Sequence, residues 1–112
     1  ERLDLYYGTL YEARLYAFLC DDLAHYMEQE NRQGLLPELA VTGVLSLLRL
    51  GRRDEAMRYA HNLIDTYRGG GAWSVNRAIS TIGAVTSLTM MVKAIDENPD
   101  VAIDDIDPFM PR

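Results

Sequence analysis

Residues 35–68, LLPELAVTGVLSLLRLGRRDEAMRYAHNLIDTYR, decide the fold of this chain. Apolar residues recur at spacings of three and four on both sides of Gly51, which predicts two amphipathic helices joined by a tight turn. Pro37 suits the first turn of the leading helix because no amide donor is needed there, and Gly51 suits the left-handed residue that ends it. The second helix is predicted from Asp54 to Tyr67. The hairpin presents more apolar surface than two helices can bury, so other helices must pack on it.

Two further helices and a tail complete the prediction. The first helix is expected from residue 3 or 9 to Arg32, and the last from Ser74, a good N-cap, to Glu97, where Asn98 and Pro99 stop it. Alternating runs bounded by hairpin turns are absent from the sequence, so no strand is predicted. The sequence therefore predicts an all-α protein: a small bundle of about four helices in residues 1–97, followed by an extended acidic and apolar C-terminal tail in residues 98–112.

Charge is distributed unevenly along the 112 residues. Six of the 17 acidic residues fall in 96–112 with a single arginine, which leaves 11 acidic and 10 basic residues in the nearly neutral body. Neither half resembles a protein whose affinity comes from neutralising phosphates, so nucleic-acid binding is not expected.

The composition also suggests where in the cell the protein is located. A single cysteine excludes an internal disulfide and fits a reducing cytoplasm, and ten arginines against one lysine suggest a bacterial genome rich in GC. The longest uncharged stretch, 78–92, is too short and too polar to span a bilayer, so we expect a cytoplasmic protein without a membrane segment. Because the chain starts at Glu1 and not at Met, an upstream segment is left open.

Few residues suggest chemistry. Asp22 and His25 share a helix face, but a di-metal bundle needs two such pairs and additional Glu ligands, so a solvated polar face is the preferred interpretation. His61 has no Ser or Cys visibly partnered to it, and Cys20 has the surroundings of a small buried hydrophobe. We therefore predict no catalytic residue, no metal and no cofactor, although polar groups converging from several helices would revive an enzyme.

Two other features have plain interpretations. Gly69–Gly71 lacks the Lys-Ser/Thr pair of a phosphate-binding loop, so it is interpreted as a linker. The only basic cluster lies around the hairpin turn: Arg49, Arg52, Arg53 and Arg58. A helix-turn-helix would put the following helix in a DNA groove, but the acidic chain favours a solvated turn that could dock an acidic partner.

Surplus apolar surface is the main functional signal. Small residues along the last helix would let another helix come close, which predicts a homodimer interface. Its expected residues are Ser80, Gly83, Ala84, Ser87 and Met91. Partner-binding residues are expected among the aromatic residues of the first helix and in the tail, where apolar side chains could fill pockets while aspartates set orientation. These residues are Tyr7, Tyr11, Ile106 and Phe109.

The turn region resembles one tetratricopeptide-repeat unit. The resemblance covers residues 35–68 and rests on the segment LRLGRRDEA (48–56), with Ala60 and Leu63 following on the packing face. The chain departs from that family at Ala40, where a large aromatic is usual, and it has no second repeat. The resemblance implies helix-hairpin packing and protein binding.

In class, the chain is also similar to small helical bacterial antiactivators, which sequester transcription regulators of the quorum-sensing type. The prediction is a non-catalytic module that binds another protein, for which a transcription regulator is one candidate, and occludes a surface that the partner needs. The alternative is a chaperone of secretion-system or phage assembly. DNA binding and enzyme activity rank below both.

Overall fold

A computed structural model describes residues 3–29, 37–69 and 75–110, in which six helices are present. They are α1 (Leu3–Glu12), α2 (Tyr16–Gln29), α3 (Pro37–Arg49), α4 (Arg53–Arg68), α5 (Val75–Glu97) and α6 (Ile103–Ile106). None of the residues in these three ranges lies in a β-strand. The all-α fold predicted from the sequence is confirmed. The finer prediction of about four helices with an extended tail is not confirmed.

The central element is α3, which contacts all five other helices. Every residue from 39 to 48 is buried, as expected for a helix that is apolar over most of its circumference. The hydroxyl of Ser46 is satisfied within the helix, since Ser46 Oγ donates a hydrogen bond of 2.8 Å to the carbonyl oxygen of Thr42. The remaining helices are arranged around this buried rod.

The α3–α4 hairpin follows the sequence prediction closely. Gly51 has φ = 79°, and the amides of Gly51 and Arg52 donate to the carbonyls of Leu48 and Leu47, each at 3.0 Å. This pair of bonds is the Schellman motif. Its left-handed position favours glycine, because glycine has no Cβ. Ala60 and Leu63, expected on the packing face, are buried, and the full inward face of α4 consists of Ala56, Ala60, Leu63, Ile64 and Tyr67.

The predicted first helix is two helices in the structure. The amides of Arg14 and Leu15 donate to the carbonyls of Tyr11 and Leu10, each at 3.0 Å, which ends α1 in a second Schellman-type turn. Arg14 takes the left-handed position with φ = 63°, where glycine is usual. Beyond the break, Leu15 and Phe18 are exposed while Leu19 and Leu23 are buried.

The C-terminal segment returns to the bundle. After α5 the chain turns at 98–100, and Arg53 Nη1 donates to the carbonyl oxygen of Pro99. The short helix α6 then contacts α3 and α5, and apolar side chains of 101–106 pack against the core. The segment therefore positions Asp107 and Phe109 beside α1 and α3, where the candidate site lies.

Candidate functional site

A buried polar cluster fixes the C-terminal segment to α1 and α3. Asp107 is fully buried, with 0% of its surface exposed. Its Oδ2 accepts a hydrogen bond from the Tyr11 hydroxyl and lies 2.9 Å from Nη2 of Arg49, while its Oδ1 accepts from the amide of Phe109 at 2.8 Å. We call Tyr11, Arg49 and Asp107 the Asp107 joint. Both carboxylate oxygens are hydrogen-bonded, as a charge removed from water requires.

Arg49 connects the joint to the surface. Its Nη1 lies 2.6 Å from Oδ1 of Asp104, whose side chain is 59% exposed, and its Nε donates to the Tyr11 hydroxyl at 3.1 Å. Burial alone would lower the pKa of Arg49, but its bonds to Tyr11, Asp104 and Asp107 raise it. Burial, followed by the hydrogen bond to Asp107, raises the pKa of Tyr11 well above its usual value. At neutral pH the joint thus contains a charged guanidinium and a neutral phenol.

A groove opens beside the joint, between the α1–α2 turn and the C-terminal segment. Its volume is about 590 Å³, and it is lined by Tyr11, Glu12, Arg14, Tyr16, Arg49, Asp104, Asp107, Phe109 and Met110. The ring centroid of Tyr11 lies 6.1 Å from that of Phe109 and 5.4 Å from that of Tyr16. Phe109 is 55% exposed, so this aromatic side chain forms a lip of the groove. The groove combines aromatic walls with charges of both signs.

Two of the four predicted partner-binding residues meet in this groove. Tyr11 and Phe109 come from opposite ends of the chain, and the joint brings them together. Tyr7 is buried in the core, where its hydroxyl donates to Asp22 Oδ2 at 2.9 Å. Ile106 is half-buried beside α5 and does not line this groove. Contact of Tyr7 or Ile106 with a partner stays a prediction, and the structure gives both of them contacts within the chain.

Sequence reasoning missed the other key residues of the groove. Asp107 was counted only as part of an acidic tail, yet the Asp107-Pro108 pair is a turn signal, and its carboxylate accepts from the amide two residues on. No local signal marks Arg14, because arginine seldom takes a left-handed conformation. The pairing of Tyr11 and Arg49 with Asp107 joins distant parts of the chain and leaves no periodic trace.

The residues predicted for the dimer interface lie on more than one face of α5. Ala84 and Met91 are buried in the chain's own core, Ser80 and Ser87 are half-buried, and Gly83 is exposed. Between residues 79 and 97 of α5, the large apolar side chains that face outward are Ile79, Ile82 and Met90, which are 65%, 66% and 66% exposed. The exposed apolar surface is thus displaced around the helix from the predicted seam.

Other groups considered for chemistry have contacts within the chain. Asp22 accepts the Tyr7 hydroxyl, and the described residues include no group of three His, Cys, Asp or Glu side chains that could hold a metal ion. Burial, more than the nearby Asp21 and Glu55, raises the pKa of the Cys20 thiol against the opposing effect of Arg52. Cys20 therefore has the less reactive thiol form at neutral pH.

The basic cluster is largely occupied by intramolecular bonds. Arg49 belongs to the joint, Arg52 pairs with Glu55 at 2.7 Å, and Arg53 donates to the carbonyl of Pro99. These bonds compete with any phosphate contact that the arginines could make.

Residues 79–97 of α5 reach a mean hydropathy of 1.2, with a third of the window buried, so by length and composition alone this helix could cross a membrane. A core helix of a soluble protein passes the same test.

Comparisons with protein-family models, with curated proteins and with solved structures find no match to this chain. The resemblance of residues 35–68 to a tetratricopeptide-repeat unit and the similarity in class to antiactivators stay predictions.

Proposed function

We propose that this chain is a non-catalytic protein–protein interaction module that binds a partner protein in the groove beside the Asp107 joint, and so sequesters or regulates it. The observation that carries the proposal is Phe109, a large aromatic residue that is 55% exposed and yet held in place. Its amide donates to the buried Asp107, and its ring contacts that of Tyr11. A restrained exposed aromatic residue loses little conformational entropy on binding, which is characteristic of interface anchors.

The lining of the groove favours a polypeptide as the occupant. Phe109 and Met110 offer apolar surface, while Glu12 and Arg14 place opposite charges on the α1–α2 side. A partner segment with an apolar side chain flanked by polar groups matches this combination. In the proposal, residues 98–112 form an arm on a bundle made by residues 1–97, and the arm supplies half of the groove.

The mechanism is occlusion. A partner held in the groove has part of its own surface covered, for example a surface that it uses for dimerisation. A bacterial transcription regulator in the cytoplasm is our candidate partner, in the manner of antiactivators. We also propose that the chain is a homodimer, because α5 presents three large apolar side chains to solvent within residues 79–97.

Three other functions receive less support. A chaperone of secretion-system or phage assembly would use the same groove, and higher oligomers would favour it. DNA binding is disfavoured by the intramolecular bonds of Arg49, Arg52 and Arg53. For an enzyme, the groove offers the Asp107 carboxylate, but its oxygens already accept bonds from Tyr11, Arg49 and Phe109.

The proposal is tested by replacing Phe109, the exposed aromatic residue of the groove. Tagged wild-type protein, Phe109→Ala and Phe18→Ala are used to capture partners from the lysate of the native host, with captured proteins identified by mass spectrometry. Phe18 is the matched control, since it is the same residue type with 54% exposure and lies on α2, outside the lining of the groove. We expect a stoichiometric protein that is retained by wild type and Phe18→Ala and lost by Phe109→Ala, with circular dichroism and melting temperature unchanged. Capture that ignores Phe109, or recovery of nucleic acid instead of a protein, would contradict the proposal.

A further inference from the structure

The outward face of α5 has a regular pattern of exposed residues. Exposed positions recur at 79, 82–83, 86, 90, 93 and 96–97, which follows the 3.6-residue period of an α-helix. The part from 79 to 90 is uncharged and spans about 16 Å along the helix axis. The part from 93 to 97 is charged, with Lys93, Asp96 and Glu97. The apolar part therefore ends abruptly towards the C-terminus of α5.

Within residues 79–90, the exposed side chains follow a pattern that is close to symmetric. Large side chains lie at both ends, with Ile79 and Ile82 on one side and Met90 on the other, and the small Gly83 and Thr86 lie between them. Space above Gly83 is open, because a Cβ built there would meet no atom within 4 Å. A two-fold axis requires a surface to complement itself, with residue i against j and j against i. A face that reads large, small, small, large in either direction satisfies that requirement, and small residues at the crossing let two helices approach closely.

The charges indicate the direction of the second helix. No basic residue lies in the last turn of α5, whereas Asp96 and Glu97 do. These carboxylates lie at the end of their own helix where the dipole is already negative, which is unfavourable. An antiparallel second copy would bring the positive N-terminal end of its α5 beside them. A parallel copy would instead bring the two pairs of carboxylates together.

We propose that the outward face of α5 binds the same face of a second copy in antiparallel orientation, with a two-fold axis near residues 83–86 and Ile79 of each copy against Met90 of the other. The inference rests on the homodimer of the proposed function and gives it a geometry. It shifts the interface from the predicted seam to residues 79, 82, 83, 86 and 90. Partner binding in the groove does not depend on it.

The first test is the oligomeric state of the full chain by sedimentation equilibrium. Wild type is compared with Ile82→Asp and with Asn62→Asp, a matched control that places the same charge on the exposed face of α4. We expect a wild-type dimer whose dissociation constant rises roughly tenfold or more in Ile82→Asp and stays unchanged in Asn62→Asp. Circular dichroism of each variant verifies the fold.

The second test fixes the orientation by disulfide cross-linking. On a Cys20→Ser background, Ile79→Cys and Met90→Cys proteins are prepared separately and mixed under mild oxidation. An antiparallel pair predicts mixed disulfides between the two variants and few within either one, whereas a parallel pair predicts the reverse.

The outcomes separate the two levels of the proposal. A dimer that resists Ile82→Asp, or disulfides formed mainly within one variant, overturns the α5 geometry and leaves the homodimer standing. A wild-type chain that remains monomeric overturns both, and its flotation with phospholipid vesicles would then identify a membrane as the ligand of this face. Neither result affects the capture experiment with Phe109→Ala.

Discussion

The Asp107 joint and the outward face of α5 depart from the usual distribution of residues in opposite ways. At the joint, charged groups are buried: Asp107 has no exposed surface, and Arg49 is half-buried. On α5, large apolar side chains are exposed, with Ile79, Ile82 and Met90 near two-thirds. Buried charges and exposed apolar patches are informative, because in a folded domain most charged side chains are exposed and most large apolar side chains are buried.

The two regions differ in whether the chain itself supplies the groups that compensate for this unusual burial or exposure. At the joint, hydrogen bonds from Tyr11, Arg49 and the Phe109 amide satisfy both carboxylate oxygens, so the chain itself supplies every partner. The α5 face has no covering element among the described residues. The joint therefore positions parts of the chain relative to one another, whereas the α5 face is a surface that a second molecule can cover.

The largest expected effect comes from breaking the joint. Asp107→Ala leaves the half-buried Arg49 without its internal carboxylate and should lower the free energy of unfolding by about 3–5 kcal/mol. The matched variant Asp104→Ala removes the other carboxylate of the same arginine, which is 59% exposed, and should lower it by only about 0–1 kcal/mol. Urea unfolding of both variants measures the difference. Equal effects would show that burial of Asp107 contributes nothing.

Alkaline pH should destabilise the fold through its buried tyrosines. Burial, with a smaller contribution from Cys20, raises the pKa of Tyr59 to about 12 from its ordinary 10, so the unfolded chain loses that proton first. The stabilisation is fully present below pH 10 and is lost as pH rises towards 12, by on the order of 2 kcal/mol for Tyr59. Urea unfolding between pH 9 and 12 tests this, and Tyr59→Phe should flatten the decline. Tyr11, whose pKa is also raised, extends the effect to the joint.

A smaller effect is expected at the turn beside the groove. Arg14 has φ = 63°, a conformation that costs an ordinary residue about 1–2 kcal/mol and costs glycine little. Arg14→Gly should therefore raise the free energy of unfolding by up to about 1 kcal/mol after the loss of chain entropy is included. Ala17→Gly, on the exposed side of α2, is the control and should lower it by about 1 kcal/mol. Destabilisation by Arg14→Gly would mean that the arginine side chain supports the turn.

The smallest effect on folding is expected on α5. Ile82→Ser replaces a side chain that is 66% exposed, so at concentrations where the protein is monomeric the free energy of unfolding should change by less than about 0.5 kcal/mol. At high concentration the variant should lose the extra stability that dimerisation gives the wild type. A large loss at every concentration would place Ile82 in the core and remove the contrast with the joint.

The local parts of the fold were predictable from the sequence. Periodicity and Gly51 predicted the α3–α4 hairpin, because helix periods and left-handed glycine ends are encoded by near neighbours. The break at Arg14 was not predictable, because the residue there is not one that normally takes a left-handed conformation.

The candidate site was predictable only in part. Tyr11 and Phe109 were selected as aromatic residues, but their meeting depends on Asp107, which pairs with residues far away in the sequence. The acidic surroundings of Asp107 are typical of an extended acidic tail, whereas packing of α6 on α3 and α5 removes that carboxylate from water. On α5, the spacing of apolar residues predicted surplus apolar surface. The face that this surface occupies depends on which side of the helix packs against α3 and α4.

Phe109 and Ile82 should contact different molecules, a partner protein and a second copy of this chain. Photo-cross-linking in the native host can distinguish these contacts, with p-benzoylphenylalanine placed at position 109 in one variant and at position 82 in another. We expect a cross-link from 109 to a different protein and from 82 to another copy of this chain, each identified by mass spectrometry. A cross-link from 109 only to another copy of the chain, or from both positions to the same foreign protein, would contradict it.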